Sequence, residues 1–206
     1  MDVSNKGLKY LLKSEGAIPY VYDDGDGTWP KRRISSFNTK GYPTIGVGHL
    51  IYPNEQARFK EFLAGGRDMT ESEMMDLLEG DINKRIASES WKAQIKVPIT
   101  QSMYDALVHQ AFNTGPSAGS IKKAIAAINE EKWLEAQDAL AAGAVTSKGK
   151  RLEGLVKRRA FEASFFMEDG EPGVLTAIPT WAWVSGGSIA ALLILWAAIR
   201  IRRRIS

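Results

Sequence analysis

The chain has 206 residues, with 27 Lys and Arg against 24 Asp and Glu, a net charge of +3 and no cysteine. That excludes a disulfide scaffold and a cysteine nucleophile, while the length is ample for one sizeable core. Four of the basic residues, Arg200, Arg202, Arg203 and Arg204, sit together in the tail; the other 23 face 24 acidic ones, so no basic body is left to argue for a nucleic-acid partner.

Residues 4–15 read as the first helix, with Ser4 or Asn5 as N-cap and Leu8, Leu11 and Leu12 on one stripe. The next position on that stripe is Glu15. A carboxylate on the buried side of a helix end loses solvation, which favours its protonated form and suits a general acid; on a frayed end it simply sits in water. Pro19 stops the helix from continuing. Tyr20, Val21 and Tyr22 favour a strand, and residues 23–27 are a turn cluster of Asp and Gly. Residues 42–51 read as a second strand, in which Thr44 opens the run Thr-Ile-Gly-Val-Gly-His and the glycines mark close backbone approach. Returning beside the first strand, it brings Thr44 near Asp24. Helical periods follow over roughly 55–64, 70–90, 100–112, 119–130, 131–142 and 152–167, and strand signals stay within 20–52. No internal repeat interrupts this order.

Glycoside hydrolysis needs little more than two positioned carboxylates and a held water. The arrangement of Glu15, Asp24 and Thr44 closely resembles the phage-type lysozyme family (glycoside hydrolase family 24), the endolysins similar to the lysozyme of T-even phage. There a helix-end Glu, an Asp nine positions on and a Thr before Ile-Gly-x-Gly-His form the catalytic set. Three further blocks keep the family order. Residues 69–82 carry a Thr-x-x-Glu capping box at Thr70 and Glu73. Residues 101–115 end in Ala111-Phe112-Asn113-Thr114-Gly115, and Gly154 to Arg159 with Glu162 resembles the closing helix. The resemblance covers residues 4–167.

What the resemblance implies is an α+β, mainly helical, lysozyme-like fold over residues 1–168, with a small β-containing lobe, a larger helical lobe and a cleft between them. It implies bacterial peptidoglycan as substrate, cut between N-acetylmuramic acid and N-acetylglucosamine with inversion, and no cofactor. Glu15 would protonate the glycosidic oxygen, Asp24 would activate water or stabilise the oxocarbenium-like centre, and Thr44 would hold that water. Leu50, Phe112 and Asn113 match cleft-lining positions, though Leu50 and Phe112 are equally at home in a core. His49 and Asp81 match a structural ion pair. Arg158 or Arg159 is the partner expected for Glu15. His109 is expected at the edge of a packed face. With no cysteine and no histidine pair at ligand spacing, a metal site is not expected.

One departure concerns spacing. The family usually places its Thr six positions after the Asp, whereas twenty separate Asp24 from Thr44. The extra residues fall in an insertion over 25–41, which loop entropy tolerates. Asp23 and Asp26 neighbour the candidate catalytic Asp; spacing from Glu15 favours Asp24. The insertion reads first as a solvated hairpin extension. Its Lys31, Arg32, Arg33 and Lys40, with Trp29 and Phe37, are the groups that would instead touch glycan, lipid headgroups or a partner.

Beyond a linker at 169–177, residues 178–199 carry no charge and include Trp181, Trp183 and Trp196 near the ends of the stretch. Twenty-odd uncharged residues suffice for one bilayer span with aromatic belts. The expectation is a single-pass membrane protein in the host inner membrane or a virion membrane, with a basic cytoplasmic tail at 200–206 and the lysozyme domain on the peptidoglycan side. Met1 to Leu12 shows no signal-peptide pattern, so three routes of delivery stay open: a host insertase, a holin lesion, or arrival in a virion with other virion proteins as partners. Gly186, Gly187, Ala190 and Ala191 suit contact between spans. Three roles stay open: an anchored muramidase for lysis or entry, a non-catalytic wall-binding or structural virion protein, and a holin-like membrane protein carrying a lysozyme domain.

Overall fold

A computed structural model describes residues 1–27, 30–147 and 149–172 of the chain. The expected span 178–199, the basic tail 200–206, most of the expected linker 169–177, and Trp29 lie outside the described residues. The chain divides into two units, Met1–Asp169 and Gly170–Ser206, and every helix and strand named here belongs to the first. Among the described residues no helix is long and apolar enough to cross a membrane.

The first helix, α1 (Asn5–Glu15), starts where Ser4 caps it: the Ser4 hydroxyl accepts the Gly7 N–H at 3.0 Å and itself donates to the Asp105 carboxylate. It buries Leu8, Leu11 and Leu12, and ends because Gly16 turns left-handed at φ +75°. β1 (Ile18–Asp23) then pairs antiparallel with β2 (Pro43–Gly46), placing Tyr22 opposite Thr44 and Asp23 opposite Pro43. β2 pairs in turn with β3 (His49–Leu50). The single strand expected over 42–51 is therefore a hairpin. Its two glycines are the reason: Gly46 and Gly48 sit at φ +64° and +70°, a region that other residues adopt only with strain.

This sheet, α2 (Gln56–Phe59) and the 3-10 turn Lys60–Phe62 enclose a small core of Val21, Ile45, Ile51, Phe59, Phe62 and Met69. Leu77 of α3 (Glu71–Arg85) completes it, while its neighbour Leu78, with Ile82, belongs to a second and larger core. One step along a helix rotates a side chain by about 100°, so α3 serves both lobes at once. The capping box at its start is formed: Thr70 accepts the Glu73 N–H at 3.2 Å and Glu73 accepts the Thr70 N–H at 2.8 Å. α3 stops at Arg85 rather than at residue 90, and a short α4 (Glu89–Lys92) restarts the helix after Ser88.

The larger core gathers around α5 (Gln101–Thr114), which is buried on every side from Ser102 to Ala111. α6 (Gly119–Asn129) and α7 (Trp133–Ala141) are separated by Glu131 at φ +56°, and α8 (Glu153–Phe166) closes the lobe against α5 and α7. A second hairpin, β4 (Thr146–Ser147) with β5 (Lys150–Arg151), precedes α8. It corrects the expectation that strands are confined to 20–52: two-residue strands are too short to show an alternating pattern.

Candidate active site

Glu15 is the last residue of α1, partly buried, and its carboxylate is gripped by α8: Arg158 Nη1 donates to Oε1 at 2.5 Å, and Nη2 donates to the Ser14 carbonyl at 3.0 Å. Of the two arginines offered by the sequence, Arg158 is the partner. The acid is thus held by a guanidinium of the closing helix.

Arg159 turns the other way. It is 1% exposed, pairs with Glu162 at 2.9 Å, and donates to Asn113 Oδ1 at 2.6 Å. Burial pulls its pKa below the ordinary arginine value, with Glu162 opposing that shift. Glu162 is wholly buried and also accepts from Gln110 Nε2 at 2.8 Å, while His109 Nδ1 lies 2.9 Å from its other oxygen. His109 Nε2 meets the Ser14 hydroxyl at 3.2 Å. A polar chain, buried at Arg159, Glu162 and His109, therefore runs from Asn113 at the surface to Ser14, the residue before Glu15. His109 is fully enclosed rather than at the edge of a packed face, because α5 is surrounded by the other helices of its lobe.

Asp23 and Asp24 separate by role. Asp23 is spent on the backbone, with Oδ1 accepting from Gly25 N–H at 2.9 Å and Oδ2 from Gly41 N–H at 3.1 Å, which closes the neck of the insertion. Asp24 leaves its side chain 59% exposed, while its N–H donates to the Tyr42 carbonyl at 3.0 Å. Thr44 is buried on the adjacent strand; its hydroxyl donates to Tyr42 O at 2.8 Å, leaving its oxygen free to accept. Sheet pairing thus sets Thr44 opposite Tyr22, two positions before Asp24, across the insertion.

That insertion is not a solvated extension. Ile34 and Phe37 pack on the small core, Tyr20 OH donates to Lys31 O at 2.9 Å, and Arg33 donates to Gly66 O at 2.8 Å and pairs with Asp68. The Lys31 side chain is only 11% exposed and its ammonium faces Asp24. Apolar residues spaced three apart gave no periodic signal, but they anchor the segment.

Leu50 and Phe112 are half-buried and Asn113 is exposed. His49 Nδ1 lies 2.8 Å from Asp81 Oδ2, and its ring borders a cavity of about 370 Å³ lined also by Tyr52, Asn54, Glu55, Lys84 and Arg85. Adjacent residues of a strand point to opposite faces, so this cavity lies on the other side of β3 from Leu50. Neither Glu15 nor Asp24 lines it.

Residues 14–162 match the sequence model of the Phage lysozyme family. An endolysin of Salmonella phage P22 is 27% identical across 81% of this chain and 99% of its own length. An endolysin of Bacillus phage PZA is 31% identical over 81% of this chain, which spans 55% of that longer relative. Among solved structures, a P22 lysozyme mutant superposes with a TM-score of 0.59 at 24% identity, covering 81% of this chain and 99% of its own, and shares the fold.

Proposed function

The chain belongs to the phage lysozyme family, and from that membership together with the uncharged stretch 178–199 we propose that it is a membrane-anchored phage or prophage muramidase, cutting the β-1,4 bond between N-acetylmuramic acid and N-acetylglucosamine. Hydrolysis of peptidoglycan by a lysozyme-type glycoside hydrolase comes with the family. The observation that supports the site assignment is Glu15 at the end of α1, fixed by Arg158 at 2.5 Å, with Thr44 opposite Tyr22 on the strand pair that leads into Asp24.

In this reading Glu15 delivers a proton to the glycosidic oxygen as the bond to the anomeric carbon breaks. A water held by Thr44 attacks that carbon from the opposite face and passes its proton to Asp24. Arg158 fixes the orientation of the Glu15 carboxyl, and Asn113, set by Arg159, presents an amide to the sugar. Leu50 and Phe112 supply apolar wall. His49 with Asp81 ties β3 to α3 and takes no part in the chemistry.

Residues 178–199 anchor the enzyme in the host inner membrane or a virion membrane, and the basic tail favours the cytoplasmic side. A holin or virion proteins bring the catalytic domain to the wall, for host lysis or local opening at entry. The test is turbidity loss of purified peptidoglycan by the full chain, wild type beside Glu15→Gln, with reducing-end analysis of the products and flotation on phospholipid vesicles. Clearing by wild type alone, with new N-acetylmuramic acid ends and flotation, supports the assignment. Clearing by both proteins overturns the role of Glu15, new ends on N-acetylglucosamine overturn the bond, and failure to float overturns the anchor.

A further inference from the structure

The insertion leaves one charged group where a surface loop has no reason to put it. Lys31 carries its ammonium back under the neck of its own loop, until the side chain is 11% exposed. Nζ lies 3.3 Å from the carbonyl oxygens of both Asp23 and Asp24, and 3.6 Å from Asp24 Oδ1. The Tyr22 ring sits beneath it, with its centroid 5.7 Å away. Two peptide oxygens of this turn are thus within hydrogen-bonding reach of the ammonium, and the Asp24 carboxylate is within ion-pairing reach.

The approach is built. Tyr20 OH fixes the Lys31 carbonyl at 2.9 Å, and Asp23 holds the two ends of the loop through Gly25 and Gly41. Those glycines meet so closely that a Cβ on Gly41 would stand 2.5 Å from Gly25 Cα. Drying an ammonium and ordering a long side chain both oppose folding, and ion pairs with a largely exposed carboxylate return little stability. Stability therefore does not account for the arrangement, whereas fixing one carboxylate does. Asp24 lies one residue beyond β1, at the start of the 3-10 turn Asp24–Asp26, with its side chain 59% exposed, and a freely turning carboxylate is a poor activator of a water held elsewhere.

We propose that Lys31 is a positioning residue for Asp24: the insertion over 25–41 folds a lysine behind the carboxylate and fixes its outer oxygen toward the water-binding Thr44. The proposal rests on the assignment of Asp24 as the partner of Glu15. The twenty-residue spacing between Asp24 and Thr44 then contributes to the chemistry instead of merely being tolerated.

The test is steady-state hydrolysis of soluble peptidoglycan fragments by the full chain: wild type, Lys31→Met, Lys31→Arg, Asp24→Asn and the Lys31→Met/Asp24→Asn double variant, each with its thermal midpoint. A misplaced reacting group costs on the order of 10- to 100-fold, so Lys31→Met is expected to lose about tenfold or more in kcat with KM within about twofold. Lys31→Arg is expected to restore most of that loss, and Lys31→Met to cost nothing further once Asp24 is an asparagine. Full activity in Asp24→Asn overturns the catalytic assignment and the proposal with it. An inactive Asp24→Asn beside an unchanged Lys31→Met overturns the proposal alone. So does a Lys31→Met loss that persists in the double variant, or one that tracks a fallen midpoint and resists arginine.

Discussion

Replacing Glu162 by Gln keeps shape and volume but removes the negative charge paired with Arg159 at 2.9 Å inside the helical lobe. Both side chains are out of water, at 0% and 1% exposure. The amide also turns an acceptor into a donor: one carboxylate oxygen faces Arg159 and Gln110, the other His109, so the new NH2 confronts a donor on the Arg159 side or displaces the His109 contact. Breaking a buried pair from one side costs about 3–5 kcal/mol. A domain of this size loses about 2–4 °C per kcal/mol, so the expected fall in midpoint is on the order of 6–20 °C by circular dichroism at pH 7. As a control, Glu130→Gln removes the partner of Lys132 in an exposed pair and should leave the midpoint within error. A Glu162→Gln midpoint within about 2 °C of wild type would refute the reasoning, because the guanidinium would then have found water or another partner.

Two more outcomes follow from the small lobe. Gly41→Ala forces a Cβ to within 2.7 Å of the Gly25 backbone nitrogen; overpacking of this kind costs about 1–3 kcal/mol, and trypsin should cut at Lys31, Arg32, Arg33 or Lys40 faster than in wild type, whereas unchanged cleavage would show that the neck opens without cost. Glu73 is held at about 2, first by Arg67 and then by the Thr70 N–H, against its ordinary 4.5. A carboxylate with a lowered folded pKa contributes stability that is complete above its unfolded value and lost as pH falls through the folded one. The gap in midpoint between wild type and Glu73→Gln should therefore be open at pH 6 and close between about pH 4.5 and 2; a gap independent of pH would assign the effect to cap geometry.

Much of the frame was legible because it rests on short-range chemistry. Ser4 at the start and Pro19 beyond the end bracket the first helix, and Thr70 with Glu73 announces α3. The choice between Arg158 and Arg159 was not legible, since neighbours on a helix differ by about 100° and only the docking of α8 decides which one meets Glu15. The chain of His109, Gln110 and Glu162 was hidden for a related reason. A helix buried on all sides has no polar face, so its polar residues give no sign of which partners they meet. At Gly46 and Gly48 the sequence marks a special backbone but not its kind, because a tight turn and close approach within one strand call for the same residue. The insertion misled because Ile34 and Phe37 are too few and too irregularly placed to register as a packed face, yet two anchors suffice to dock a loop.

The pairing of Glu15 with Arg158 joins residues 143 positions apart. On a nascent chain emerging N-terminus first, the candidate acid is made early and its clamp near the end of the lobe. Ser4 likewise waits for Asp105 before α1 is fully tied down. Contacts of such long range form late and only after the intervening helices have closed. A polypeptide released anywhere before α8 would carry Glu15, Asp24 and Thr44 in full and still lack the guanidinium that orients the acid. In order of synthesis, then, the guanidinium that orients the candidate acid arrives only with α8, and the site as described is complete only once that helix has docked.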